Sequence, residues 1–225
     1  MHNLICPDIF NGAVKAFFTS KSLGTDIDRI SSILGIKRSD VYMPVQRHTD
    51  RVLELDSDLS PVEADAVVTR KKGLLIGVQV ADCVPILLFD DRKSAVGAVH
   101  AGWRGTAGRI IIRSIERMMR RFGSSPADIR VAIGPSIKGG CYEVGPEVRN
   151  AICDAMGEGD YCALLNGKYY IDLPMANAVQ AMSAGIPEEN VWTSDVCTHC
   201  NPDDFHSYRR HRNHSGRQGG FIGVF

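Results

Sequence analysis

Three side chains of this sequence have the chemistry to share one metal ion: His48, Cys83 and His100. Imidazole and thiolate form a borderline-soft set that suits zinc, and three protein ligands with a fourth position open describe a catalytic rather than a structural site. The same atoms admit a second chemistry. Cys83 can be a nucleophile attacking an acyl carbon, with His100 as its base and Asp82 or Asp65 orienting the imidazole. Composition does not separate the two. A third group is Cys197-Thr198-His199-Cys200, followed by His206, His211 and His214. A CxxC pair near histidines invites a zinc-knuckle or redox reading, although no second CxxC follows and the histidine spacing is not that of a finger.

Groups able to handle protons and anions lie beside these donors. Asp82 adjoins Cys83 and can accept or deliver a proton if burial shifts its pKa. Arg104, inside a Gly-Trp-Arg-Gly turn, offers a guanidinium fork that fits phosphate or carboxylate, or a salt bridge to Asp82 or Glu143. Ser207-Tyr208-Arg209-Arg210 adds a further anion site, with Tyr208 either stacking on a base or covering the core.

Buried strands must position these residues. Residues 77–89 are an apolar run interrupted by Asp82-Cys83, and residues 95–99 are a second run that ends on His100. Polar groups at the breaks of such strands cost free energy in a dry interior unless they are paired, so they need a reason, and a site is one. Further strands are expected at 14–19, 66–69, 74–80, 129–133 and 220–225, and an extended segment at 41–48. Helices are expected at 26–34, with Asp26 as N-cap and Gly35 as stop, at 106–122, 146–156 and 174–184. Strands and helices alternate without a regular βαβ rhythm, which predicts an α+β fold.

At 225 residues, 44% hydrophobic and 23% charged, the chain has the composition of one globular domain, 1–225, with a real core. Its 26 basic and 26 acidic residues balance, which argues against nucleic-acid or membrane-surface partners. The basic segment 109–121 also carries Ile110, Ile111, Ile112, Ile115, Met118 and Met119, the pattern of an amphipathic helix with a solvated arginine face. No apolar run approaches the roughly 20 residues that span a bilayer. The first residues lack the pattern of a signal peptide, and seven dispersed cysteines resemble thiols of a reducing compartment, so the expected location is cytoplasmic.

Several longer strings occur in order: Gln46-Arg47-His48, Ala64-Asp65-Ala66 with Thr69, Ala81-Asp82-Cys83-Val84-Pro85, His100-Ala101-Gly102-Trp103-Arg104-Gly105, Gly134-Pro135-Ser136-Ile137 and Cys141-Tyr142-Glu143-Val144. Asp172-Leu173, Cys197-Thr198, Phe205-His206-Ser207-Tyr208-Arg209-Arg210 and Gly216-Arg217 follow. From about residue 41 to the C-terminus the chain thereby resembles the laccase-domain family, also called multicopper polyphenol oxidases, whose members include peptidoglycan-editing factors and purine nucleoside phosphorylases. The resemblance places the family's zinc ligands on His48, Cys83 and His100. It implies an α+β layered sandwich with mixed sheets flanked by helices, similar to the catalytic domain of cytotoxic necrotizing factors, where a Cys–His pair is catalytic.

The implied activity is zinc-dependent phosphorolysis of adenosine, inosine or methylthioadenosine, with adenosine deamination beside it. Purine nucleoside and phosphate are then the partners, and copper is a possible alternative metal. The residues expected to meet substrate are Gln46, Arg104, Tyr208, Arg209 and Arg210, with Asp82 moving a proton on the leaving base. Two rivals remain: a laccase-like copper oxidase, for which seven histidines are few, and a cysteine hydrolase or cell-wall peptide editing factor using Cys83 and His100. The chain departs from the family in Arg47 and Thr49 beside the first donor, in His206, and in a glycine-rich loop cut down to Thr19-Ser20-Lys21.

Overall fold

The computed structural model describes residues 4–10, 12 and 14–225; the histidine at position 2 lies outside them. In chain order the elements are β1 (Leu4–Ile5), β2 (Val14–Thr19), α1 (Ile27–Leu34), β3 (Val41–Tyr42), β4 (Val52–Glu54), β5 (Ala66–Thr69) and β6 (Leu75–Val80). The central hairpin of β7 (Val84–Asp90) and β8 (Ala95–Ala101) leads into α2 (Trp103–Ala107), α3 (Ile110–Phe122) and β9 (Ile129–Ile133). Then come β10 (Glu143–Val144), α4 (Pro146–Met156), β11 (Cys162–Leu165), β12 (Lys168–Ile171), α5 (Leu173–Ser183), β13 (Val191–Thr193), α6 (Tyr208–His211) and β14 (Gln218–Val224).

Two mixed sheets carry the fold, ordered β1-β2-β14-β6-β3 and β13-β9-β7-β8-β5-β4, with a small third sheet β10-β12-β11 beside them. The period of two in each strand assigns the layers. In β7 and β8, Val84, Ile86, Leu88, Ala95, Val99 and Ala101 pack toward α3 and α5, while Leu87, Phe89, Val96 and Ala98 pack toward the other sheet. In β6 and β14, Ile76, Val78, Ile222 and Val224 meet them from the opposite side, and Leu75 and Phe221 turn outward under α1. The order is therefore helix, sheet, sheet, helices, the α+β layered sandwich expected. Among the described residues no helix is long and apolar enough to cross a membrane.

Local chemistry explains the elements. Asp26 caps α1 by accepting from the Arg29 N–H, and Gly35 ends it in the left-handed region. The helix expected over 106–122 is instead two helices, broken where Arg109 adopts φ 57°. The arginine face of α3 is solvated and paired outward, Arg113 to Asp50, Arg120 to Glu116 and Arg121 to Glu54. α2 is held from below: the buried Asn177 and Gln180 of α5 donate to Thr106 Oγ1 and to the Thr106 carbonyl.

Candidate active site

His100 is the last residue but one of β8, on the face shared by Val96 and Ala98, and Cys83 immediately precedes β7. The antiparallel register pairs His100 with Pro85, so the two donors reach the same end of the hairpin. His48 comes from the loop between β3 and β4, with φ 59°, a left-handed conformation that a non-glycine residue adopts only when its surroundings impose it. What imposes it is Asp65. Its Oδ1 accepts from the His48 N–H (3.0 Å) and from His100 Nδ1 (2.8 Å). Its Oδ2 accepts from the N–H groups of Arg47 (3.2 Å) and Thr49 (2.7 Å) and from Thr49 Oγ1 (2.7 Å). One carboxylate thus folds the loop that carries the first donor and fixes the ring of the last.

The donor atoms of His48, Cys83 and His100 all lie within 4.8 Å of one another, and the two rings meet edge to face at 4.8 Å. One zinc ion at ~2.0–2.3 Å from each donor can bridge such a group. With Nδ1 engaged by Asp65, His100 keeps Nε2 for the cluster, the arrangement that orients a metal-ligating imidazole. Gly102 allows the close approach: a Cβ there would lie 3.1 Å from Cys83 Sγ and 3.3 Å from a His48 ring carbon. The group grades from exposed His48 through Cys83 to buried His100, so it opens on one side.

The electrostatics follow from this geometry. Burial raises the Cys83 thiol, but the charge of His100 and hydrogen bonds from His100 and His48 outweigh it and hold the thiol at about 6. Burial works against the His100 imidazolium too, yet the Cys83 thiolate and the Asp65 carboxylate raise it to about 9. Asp65, although buried, is held well below the usual carboxylate range by hydrogen bonds from His100 and Thr49. Without a metal, this is a thiolate–imidazolium pair steadied by a carboxylate.

The group forms one wall of a cavity of about 600 Å³, within the size range that takes small-molecule ligands. Of the residues singled out in the sequence, Gln46, Asp82, Arg104, Tyr208 and Arg209 line it; Arg210 does not. The Arg210 guanidinium turns away to the His199 carbonyl (2.6 Å), and Arg212 and Arg217 line the cavity in its place. The signal for them was present in the basic run after Tyr208, but the turn at Arg212, φ 51°, is not legible there. Gln46 contributes a wall rather than a free amide, since Oε1 accepts from the Gln79 N–H and Nε2 donates to the Gln79 carbonyl.

Asp82, expected from the sequence to carry a proton, accepts three hydrogen bonds. Its Oδ1 accepts from Thr198 Oγ1 (2.7 Å), and its Oδ2 from Ser207 Oγ (3.0 Å) and the Arg209 N–H (2.6 Å). It braces the α6 region against the β6–β7 turn, itself at φ 82°. Among the described residues Arg104 has no carboxylate partner; it lies over the Trp103 ring at 4.3 Å, while Glu143 pairs with Lys168. Arg209 donates to the Glu143 carbonyl and lies over the Tyr142 ring at 5.2 Å. Burial pushes the Tyr142 hydroxyl, which also lines the cavity, up to about 12. The CxxC segment joins a different partner: Cys197 and Cys200 gather with Cys141, apart from His206, His211 and His214.

With this geometry established, comparison with known proteins is informative. The profile of the family described as multi-copper polyphenol oxidoreductase laccase matches residues 11–225. A relative from an unknown prokaryotic organism, named adenosine deaminase RL5, is 40% identical over 205 residues, covering 85% of this chain and 77% of its own length. A purine nucleoside phosphorylase from Aquifex aeolicus is 40% identical over 190 residues, covering 84% of each chain. Among solved structures, YlmD from Geobacillus stearothermophilus superposes with a TM-score of 0.92 at 28% identity, over 99% of this chain and 96% of that one.

Proposed function

We propose, from the premise that this chain belongs to the multi-copper polyphenol oxidoreductase laccase family, that it is a zinc-dependent purine nucleoside phosphorylase with adenosine deamination as a side activity. We place the activity in one domain and in the cytoplasm, a compartment in keeping with seven free cysteines. The observation that carries the reading is one cavity holding both an imidazole–thiolate–imidazole donor group and a set of arginines, Arg104, Arg209, Arg212 and Arg217, with no carboxylate partner among the described residues. Guanidiniums facing an open cavity are suited to an anion such as phosphate, which they grip by paired N–H donors.

In this reading His48, Cys83 and His100 hold the metal. When bound, the ion supplies Lewis acidity at the cavity wall. Copper would take the same imidazole and thiolate donors. Arg104 and Arg209 bind phosphate beside the ribose, Trp103 and Tyr142 flank the flat base, and Tyr208 covers it from the α6 side. Asp82 keeps Arg209 in place through its backbone N–H and acts as a positioning residue. Asp65 does the same for His48 and His100.

The test is purified, zinc-loaded protein given inosine with and without phosphate. Ribose 1-phosphate and hypoxanthine formed only with phosphate support the reading; no ribose 1-phosphate from inosine, adenosine or methylthioadenosine overturns it. A second reading, a cysteine hydrolase acting on an amide or a cell-wall peptide, is favoured by one observation, the Cys83–His100–Asp65 chain of hydrogen bonds. It requires amide turnover that survives chelation and ends when an electrophile labels Cys83.

A further inference from the structure

We propose that Cys141, Cys197 and Cys200 form a second metal site, for zinc held by three thiolates, which clasps the segment before β10 to the segment after β13. The three sulfurs lie within 4.8 Å of one another, and Cys141 Sγ is 3.2 Å from Cys200 Sγ. They come from segments 59 residues apart, so their meeting is made by the fold rather than by local sequence. Cys197 is buried, Cys141 half-buried and Cys200 exposed, which leaves the group reachable from solvent on one side.

The surroundings of Cys197 are those of a metal knuckle. Backbone N–H groups of Lys138, His199 and Cys200 lie near enough to its sulfur to favour a thiolate there. The N–H groups two and three residues beyond the first cysteine of a CxxC thus offset thiolate charge before any cation arrives. The turn is fixed from outside as well: Asn201 donates from its N–H and its Nδ2 to the Cys197 carbonyl, and the Thr198 N–H donates to the Ser136 carbonyl. Lys138 Nζ donates to the Ser194 carbonyl and ties the same two segments together. Between the cysteines of the knuckle lies His199, whose Nδ1 is buried with no hydrogen-bond partner among the described residues. The fourth position belongs to water or, after a side-chain rotation, to His199.

Three thiolates around one ion are soft ligation typical of zinc. Each thiol that binds releases its proton to solvent, and no electron moves. A disulfide between Cys141 and Cys200 would use two of the three sulfurs, exclude the one that the backbone cradles, and need an oxidant. The clasp sits behind the cavity: Thr198, next to Cys197, donates to Asp82, Cys141 precedes Tyr142, and the His199 carbonyl holds Arg210.

The experiment uses the full chain and does not depend on nucleoside turnover. Cys83→Ser removes the only sulfur of the first donor group. Loaded with Co²⁺, this variant is expected to keep a near-ultraviolet sulfur-to-cobalt charge-transfer absorption, and adding Cys200→Ser or Cys141→Ser to remove it. Zinc counted by mass spectrometry after dialysis is expected at about two ions per wild-type chain and about one in either Cys83→Ser or Cys200→Ser. Circular dichroism confirms that each variant is folded, and the two alternative cysteine variants guard against failure of one. A wild-type chain that retains at most about one ion, or a folded Cys83→Ser chain without sulfur–cobalt absorption, overturns the second site. So does an intact mass lower by two hydrogens, locating a Cys141–Cys200 disulfide in zinc-treated protein.

Discussion

Asp65→Asn is the substitution whose consequences the structure works out most fully. The carboxylate accepts from five donors and is itself fully buried, so its own oxygens have no bulk water in place of those partners. Asparagine keeps one accepting oxygen and turns the other into an NH₂ donor. Replacing Oδ1 strands the His48 N–H and His100 Nδ1–H; replacing Oδ2 strands the donors of Arg47 and Thr49. At ~1–3 kcal/mol for each buried donor left unmatched, and with the ionic partner of His100 lost, the variant is expected to be about 3–5 kcal/mol less stable. In the first orientation His100 Nδ1 must become an acceptor. Its proton then moves to Nε2, the nitrogen that faces the donor group, and zinc affinity is expected to fall ~10–100-fold.

The pH dependence gives the sign. A carboxylate held below its ordinary range contributes stability above the unfolded-chain pKa near ~4 and loses it as pH falls toward the folded value. The gap in urea stability between wild type and Asp65→Asn should therefore be full at neutral pH and narrow in acid. Urea unfolding of chelated protein from neutral pH into acid, with a zinc-chelator competition at neutral pH, measures both effects. A stability gap under ~1 kcal/mol at neutral pH, or a gap that does not narrow in acid, or unchanged zinc affinity, refutes the reasoning.

Four further expectations follow from the same geometry. In chelated protein, iodoacetamide should alkylate Cys83 with a half-maximal rate near pH about 6, read by peptide mass spectrometry. The depressed thiol loses its contribution as pH falls through about 6, and the raised imidazole loses its own as pH rises through about 9, so the metal-free chain should melt highest between the two. Arg104→Ala should raise the KM for phosphate ~10–100-fold, the worth of charge-assisted hydrogen bonds, whereas Arg210→Ala should leave it nearly unchanged in the same inosine assay. Gly102→Ala places a methyl against Cys83 and His48, and should weaken zinc binding in chelator competition while costing only about 1–3 kcal/mol of stability.

The sequence made the buried strands readable because their side chains are mostly apolar, and β2, β5 and β9 lie where those runs lie, Lys15 and Arg130 being the charged exceptions. Helix ends with their own chemistry were equally plain, as at Asp26 and Gly35. Edge elements such as β3 and β10, two residues each, are too short to show a period. The β11–β12 hairpin did carry a signal, Asn166-Gly167, whose φ values of 51° and 75° suit a tight turn; its first strand, largely exposed, lacks the alternation that would have drawn attention to it. The break before α3 left no trace in the isoleucine pattern, because its cause is tertiary. A Cβ at Gly108 would lie 2.7 Å from the Asp50 Cβ, from a loop distant in sequence, so the chain passes close to that loop where Arg109 turns out of the helical region. The third partner of the Cys197–Cys200 pair was hidden for the same reason: Cys141 reaches it through the fold.

The two buried carboxylates both act on the backbone. Asp82, which adjoins Cys83, is expected from the sequence to move a proton, and Asp65 to orient the His100 imidazole. Each accepts several hydrogen bonds and governs a residue in the left-handed region, His48 for Asp65 and Asp82 itself. Such a conformation costs about 1–3 kcal/mol, a cost that charge-assisted bonds to a buried carboxylate offset. What these bonds secure is the direction of the chain: the loop with His48 is brought over Cys83, and α6, with Arg209, is brought over the same cavity. Thr198 then makes the second arrangement depend on the CxxC turn, since its hydroxyl, one residue after Cys197, is one of the three donors that Asp82 needs. Loosening the cysteine cluster should therefore reach the cavity through Asp82 and Arg209, and not through His48, whose N–H is held by Asp65.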